Sequence, residues 1–163
     1  MSVVNKKIFK HFQNNCYSFQ LISYDTNKIS YSQLIKKLKQ ENSRQVLFNS
    51  EVMIELIKET AINNKEYLVA ALKIGSEDDL EIQESINKII LSMRNDYSNI
   101  VKLIDELSWC YDNESIDIRE IKIVGRGGNY DNATILSNGI YFGNEELFNS
   151  FIVPVLMRYF NGE

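Results

Sequence analysis

Apolar residues recur at helical spacing through the middle of this chain, whereas β-branched residues take over after residue 116. The clearest helical stretch is SEDDLEIQESINKIILSMRNDY, where Ile82, Ile86, Ile89, Ile90 and Met93 share one face. Ser76 and Asp79 form a capping-box pattern at its start. Beyond the break at Asn95 and Asp96, the spacing of Tyr97, Ile100, Val101, Ile104, Leu107 and Tyr111 predicts a second helix. Two helices joined by so short a connection pack as an antiparallel hairpin.

Two further helices precede the hairpin. Ser30 is placed to cap one whose Tyr31, Leu34, Ile35 and Leu38 face inward while Lys36, Lys37 and Lys39 point away. Ser50 is placed to cap another, with Glu51 in its first turn and Val52, Met53, Leu56 and Ile57 as its buried stripe. Ile8, Phe9 and Phe12 suggest a first helix over residues 5 to 14, and CYSFQLIS then alternates as a strand before the turn YDTNK. The short apolar run EYLVAALKIG fits a buried strand or a buried helix, and strand is the preferred reading.

From Ile116 onward, strands are expected near 116 to 124, 132 to 137 and 140 to 143, with Asn138-Gly139 as a type I′ hairpin turn. Asn144 should cap a final helix with an apolar face running from Leu147 to Phe160, kinked or split at Pro154. At 163 residues, with no proline-rich or glycine-rich linker, the chain is expected to form one domain of the α+β class. That domain would be a small, mainly antiparallel sheet packed against the helical hairpin and the C-terminal helix.

Charge adds a polarity that the periodicity does not show. The formal net charge is only −4, yet residues 1 to 44 hold eight basic and two acidic residues, a balance of +6, and the remainder balances at −10. Such asymmetry concerns partners and not fold. No apolar run approaches the roughly 20 residues of a membrane span, and MSVVNKKIFKHFQNN has no secretory pattern, so a cytoplasmic protein is expected.

The candidate chemistry is sparse. Gly125, Gly127 and Gly128 are followed by NYDNATIL, which reads as strand, so they build a turn and not a phosphate loop. Arg126 among them could still meet an anion. Cys16 and Cys110 form no C-x-x-C pair and are expected as buried thiols, with the lone His11 on the surface. One histidine and two isolated cysteines leave no ligand set for a zinc-type site, and no cofactor is expected.

Glu120 and Lys122 would point to one face of a strand, where a carboxylate beside a lysine can hold a divalent metal and orient a water. With Asp117, Asp112 or Asp105 as a further ligand, the triplet resembles the D…E-x-K pattern of restriction-endonuclease-like nucleases, which would imply a metal-dependent phosphodiesterase. The alternative is a cross-strand charge pair on a solvated face.

Glu77, Asp78, Asp79, Glu81 and Glu84 place five acids in eight residues, more than capping requires, and Asp112 and Glu114 should join them at the same end of the hairpin. The lysines of residues 1 to 44 read instead as the outer face of amphipathic helices, not as a nucleic-acid surface. Small acidic chains of this kind are similar, as a class, to bacterial immunity proteins and phage-type inhibitors. The expected function is thus binding and inhibition of a basic protein partner, such as a toxin or nuclease domain.

Overall fold

The computed structural model describes residues 4–63, 65–75, 80–113, 116–127 and 131–162, which form an α+β domain with two antiparallel sheets. The first sheet begins with a long hairpin, β1 (Val4–Gln13) and β2 (Cys16–Asp25), paired from Val4↔Asp25 to Gln13↔Cys16. Its turn is Asn14-Asn15, both left-handed at φ 54° and 59°, a conformation asparagine tolerates and a tight two-residue hairpin requires. The expected helix over 5 to 14 is therefore a strand.

The reason for that correction lies in the packing. Ile8 and Phe9 are adjacent and both fully buried, Ile8 in the main core and Phe9 against Leu34 and Leu38 on the other side. A strand covered on both faces loses the alternation that would reveal it. Leu34 and Leu38 belong to α1 (Tyr31–Gln40), which opens with the expected Ser30 cap, reciprocated by the side chain of Gln33. Next, β3 (Ser43–Gln45) pairs with the other edge of β1.

Helix α2 (Ser50–Ile62) is capped by Asn49, whose side chain accepts from the Val52 amide at 2.9 Å. Ser50, expected in that role, is instead buried in the first turn. Its hydroxyl donates to the Ile116 carbonyl and accepts from the Ile118 amide. A tertiary demand for a buried donor and acceptor thus moves the cap by one residue.

The second sheet has the order β4 (Tyr67–Ile74), β5 (Ile118–Gly125), β6 (Asn132–Leu136) and β7 (Tyr141–Gly143). EYLVAALKIG is accordingly an edge strand, and part of its free edge is closed by side chains. Gln83 accepts from the Ile74 amide and donates to the Leu72 carbonyl, while the Tyr97 hydroxyl accepts from the Val69 amide. An edge satisfied at these positions is a poorer template for another strand.

Gln83 lies on α3 (Leu80–Met93), and Tyr97 opens the 3₁₀ turn that leads into α4 (Ile100–Asn113). The expected Ser76–Asp79 capping box falls outside the described residues. Ile86, Ile90 and Met93 are buried on α3, and Ile100, Leu103, Leu107 and Cys110 on α4. Val101 and Tyr111, expected in the stripe, are exposed, because the covered face of α4 is centred on Leu103 and Leu107.

The turn after β6 joins the two sheets. Gly139 has φ 83° and donates to Leu136 O, and Leu136 N donates to Ile140 O, so this is a three-residue turn with a glycine bulge. Asn138 is not left-handed, and the type I′ expectation fails there. The Gly139 carbonyl accepts from Ile8 N, and a Cβ on Gly139 would stand 2.4 Å from the Val46 carbonyl oxygen. Only glycine meets both demands.

The C-terminal segment starts as expected, with Asn144 capping α5 (Glu145–Leu147). A π turn over Phe148–Ile152 then leads into α6 (Val153–Asn161). Pro154 stands in the first turn of α6, so its missing N–H is absorbed by the widened turn and the helical segment continues. Phe148, Phe151, Ile152, Val155 and Leu156 fill the core. The Arg158 guanidinium pairs with Glu59 of α2, a carboxylate that is only 4% exposed.

Candidate functional site

The start of α3 and the end of α4 meet at one end of the hairpin, where Ile82, Trp109, Cys110 and Asn113 line a hollow of about 450 Å³. Trp109 is the only tryptophan in the chain, and it is 64% exposed. Asp105, Glu106 and Asp112 lie one helical turn from it on α4, four and three residues before and three after. Glu81, beside Ile82, adds a carboxylate from α3, and Glu84 lies one turn further along.

Glu81, Glu84, Asp105 and Asp112 are exposed, and none forms an ion pair among the described residues. Glu77, Asp78, Asp79 and Glu114 lie outside the described residues. Over residues 77 to 114 the sequence holds ten acidic and three basic residues. The acidic field extends from Asp112 along a groove between α4 and α2, whose walls include Glu51, Glu55, Tyr111 and Ser108. Lys58 answers Glu55 at 2.9 Å, and Tyr159 donates to Glu51 at 2.8 Å.

Trp109 carries no motif in the sequence. The signal is nonetheless present, because position 109 falls off the face occupied by Leu103, Leu107 and Cys110. A large aromatic out of phase with the buried stripe of its own helix is a surface residue.

The carboxylate–lysine triplet has a different setting. Glu120 faces Lys73 across the β4–β5 pair, with Nζ 3.3 Å from the carboxylate. Asp117 is held by Arg119 at 3.1 Å, Lys122 is exposed two residues beyond Glu120, and Asp105 and Asp112 belong to α4. No three His, Cys, Asp or Glu side chains converge as metal ligands among the described residues.

Part of the basic segment is engaged internally. Lys7 is 6% exposed, with its Nζ 3.9 Å from the centre of the Tyr31 ring, and burial pushes its ammonium below the ordinary lysine value. Lys10 lies over the rings of Phe160 and Tyr17 at 4.6 and 5.1 Å. Lys36, Lys37 and Lys39 are exposed on α1, as expected. His11 is half-buried, with Nδ1 3.2 Å from the Ser43 hydroxyl, and Cys16 is only half-buried whereas Cys110 is buried as expected.

In the glycine-rich stretch, Gly125 closes β5, its amide donating to Asp131 O, and Gly127 is left-handed at φ 55°. Those two glycines serve a turn. Gly128 lies outside the described residues.

Comparison with protein families, with curated proteins and with solved structures returns no significant match.

Proposed function

We propose that this protein binds a basic protein partner through the acidic end of its helical hairpin and neutralises or regulates it, as immunity-type and phage-type inhibitors do. The observation that carries this proposal is Trp109, exposed at 64% on a helix whose flanking turns supply Asp105, Glu106 and Asp112. Exposed tryptophans are the residues most enriched among binding hot spots, where an aromatic anchor fills a pocket and the surrounding polar groups exclude water. The carboxylates around it, with Glu81 and Glu84 of α3 and the further acids Glu77, Asp78, Asp79 and Glu114, supply the long-range attraction that steers a positively charged partner into place.

The test uses the intact chain as bait, beside a variant carrying Trp109→Ala, Glu81→Lys and Asp112→Lys. A basic protein retained by the native bait in low salt, lost with the variant and released by about 0.5 M salt is the expected result. Retention of the same proteins by both baits would remove the acidic end from the mechanism.

A further inference from the structure

A second hollow, of about 210 Å³, opens between the edge of the second sheet and α3. Its walls are apolar: Leu68 and Ala70 from β4, Val124 from β5, Ile90 and Met93 from α3. Two features keep it open. The β4–β5 register slips between Val69 and Ala71, leaving Ala70 as an extra residue whose small side chain faces the space. Tyr97 forms a fixed wall, because its hydroxyl accepts from the Val69 amide at 3.1 Å and bonds Thr60 Oγ1 at 2.7 Å, and Thr60 donates on to Ile57 O.

The charged group at this hollow is a cation, and a second stands on its Tyr97 wall. Arg94 lines it directly. Arg126 stacks on the Tyr97 ring with its guanidinium carbon 4.1 Å from the ring centre. Among the described residues neither arginine forms an ion pair, and the Arg126 Nε is buried with no acceptor. A buried donor without an acceptor is unfavourable, and two guanidiniums with no ion pair, one of them only partly compensated by an aromatic ring, raise the local potential toward anions.

We propose that this hollow binds a small amphipathic carboxylate, its apolar body between Ala70 and Met93 and its anionic group on Arg94, within the field of Arg126. At interior packing density of about 0.75, the space holds a body of about eight to ten non-hydrogen atoms, the size of a medium-chain or simple aromatic acid. Apolar walls disfavour a bare phosphate, which would lose water against them without a compensating hydrogen bond. The arginines disfavour an amine. The site shares no residue with the surface around Trp109 and does not depend on it.

Titration calorimetry with octanoate, octan-1-ol and octylamine, which share a chain length and differ in charge, tests the proposal. Octanoate should bind one to one, at least tenfold more tightly than octanol, with octylamine inert. Arg94→Gln should weaken octanoate at least tenfold and leave octanol unchanged, and Arg94→Lys should recover part of the loss. Ala70→Leu, or Val124→Phe should the first variant fold poorly, fills the space and should abolish binding of both, with an unshifted urea midpoint showing an intact fold. Octylamine binding as tightly as octanoate, or octanoate binding undiminished in the filled variants, would overturn it.

Discussion

The two charged regions of this molecule put their charge to different uses. In the N-terminal sheet and α1, Lys7 is stacked on Tyr31 and Lys10 lies over Tyr17 and Phe160, so part of the positive charge is absorbed by aromatic rings. At the end of the helical hairpin, Glu81, Asp105 and Asp112 stand in solvent without an ion pair among the described residues, around an exposed Trp109. Similar excesses of charge in the sequence therefore mean different things. A cation over an aromatic face is partly compensated by the ring quadrupole, whereas clustered carboxylates repel one another and lose that repulsion when a basic surface arrives.

The contrast requires the hairpin to be a rigid scaffold fixed to the core, and the largest expected effect tests that. Ile86→Ala, at a fully buried position, should cost about 2 to 5 kcal/mol in urea denaturation, whereas Val101→Ala, 57% exposed, should cost no more than about 0.5 kcal/mol. Equal costs would mean that the hairpin packs by a different face. Next in size, Trp109→Ala should weaken the captured basic partner by about 2 kcal/mol, close to thirtyfold, and leave the melting temperature within a degree or two. A fall in stability with affinity unchanged would make Trp109 structural and erase the contrast.

A smaller effect is expected at the basic end. Burial holds the folded pKa of Lys7 below its ordinary 10.5. Between the folded value and 10.5 the unfolded chain binds more protons, so stability rises with pH through that window, and below it the charged lysine is a constant penalty. Lys7→Met should therefore stabilise the protein at pH 7, and the advantage should shrink as the pH approaches 10.5. A destabilised variant at pH 7 would show that the contact with Tyr31 outweighs desolvation.

The smallest effect belongs to the cross-strand pair. Glu120→Gln should change stability by less than about 1 kcal/mol, since Lys73 is well exposed. Cleavage of nucleic acid with Mg²⁺ or Mn²⁺, abolished by that one substitution, would instead restore the metal-dependent reading of Glu120 and Lys122.

The chain's own pattern determined a good deal. Helices with one apolar face and one polar face declare themselves, as α1, α2, α3 and the C-terminal segment do, because burial on a single side imposes the 3.6-residue period. The β-branched strands after residue 116 and the caps at Ser30 and Asn144 are local features that depend on few distant contacts. Tertiary structure decided the rest. β1 was hidden because it is buried on both faces. Ser50 yielded its cap to Asn49 because its hydroxyl answers Ile116 and Ile118, sixty-six and sixty-eight residues away. The turn at Gly139 follows from the approach of the Val46 carbonyl and not from the Asn-Gly pair alone. The acids of the hairpin were legible as a cluster, but that Trp109 stands among them depends on the phase at which α4 meets the core. Residues distant in sequence set that phase, and periodicity alone misplaced it at Val101 and Tyr111.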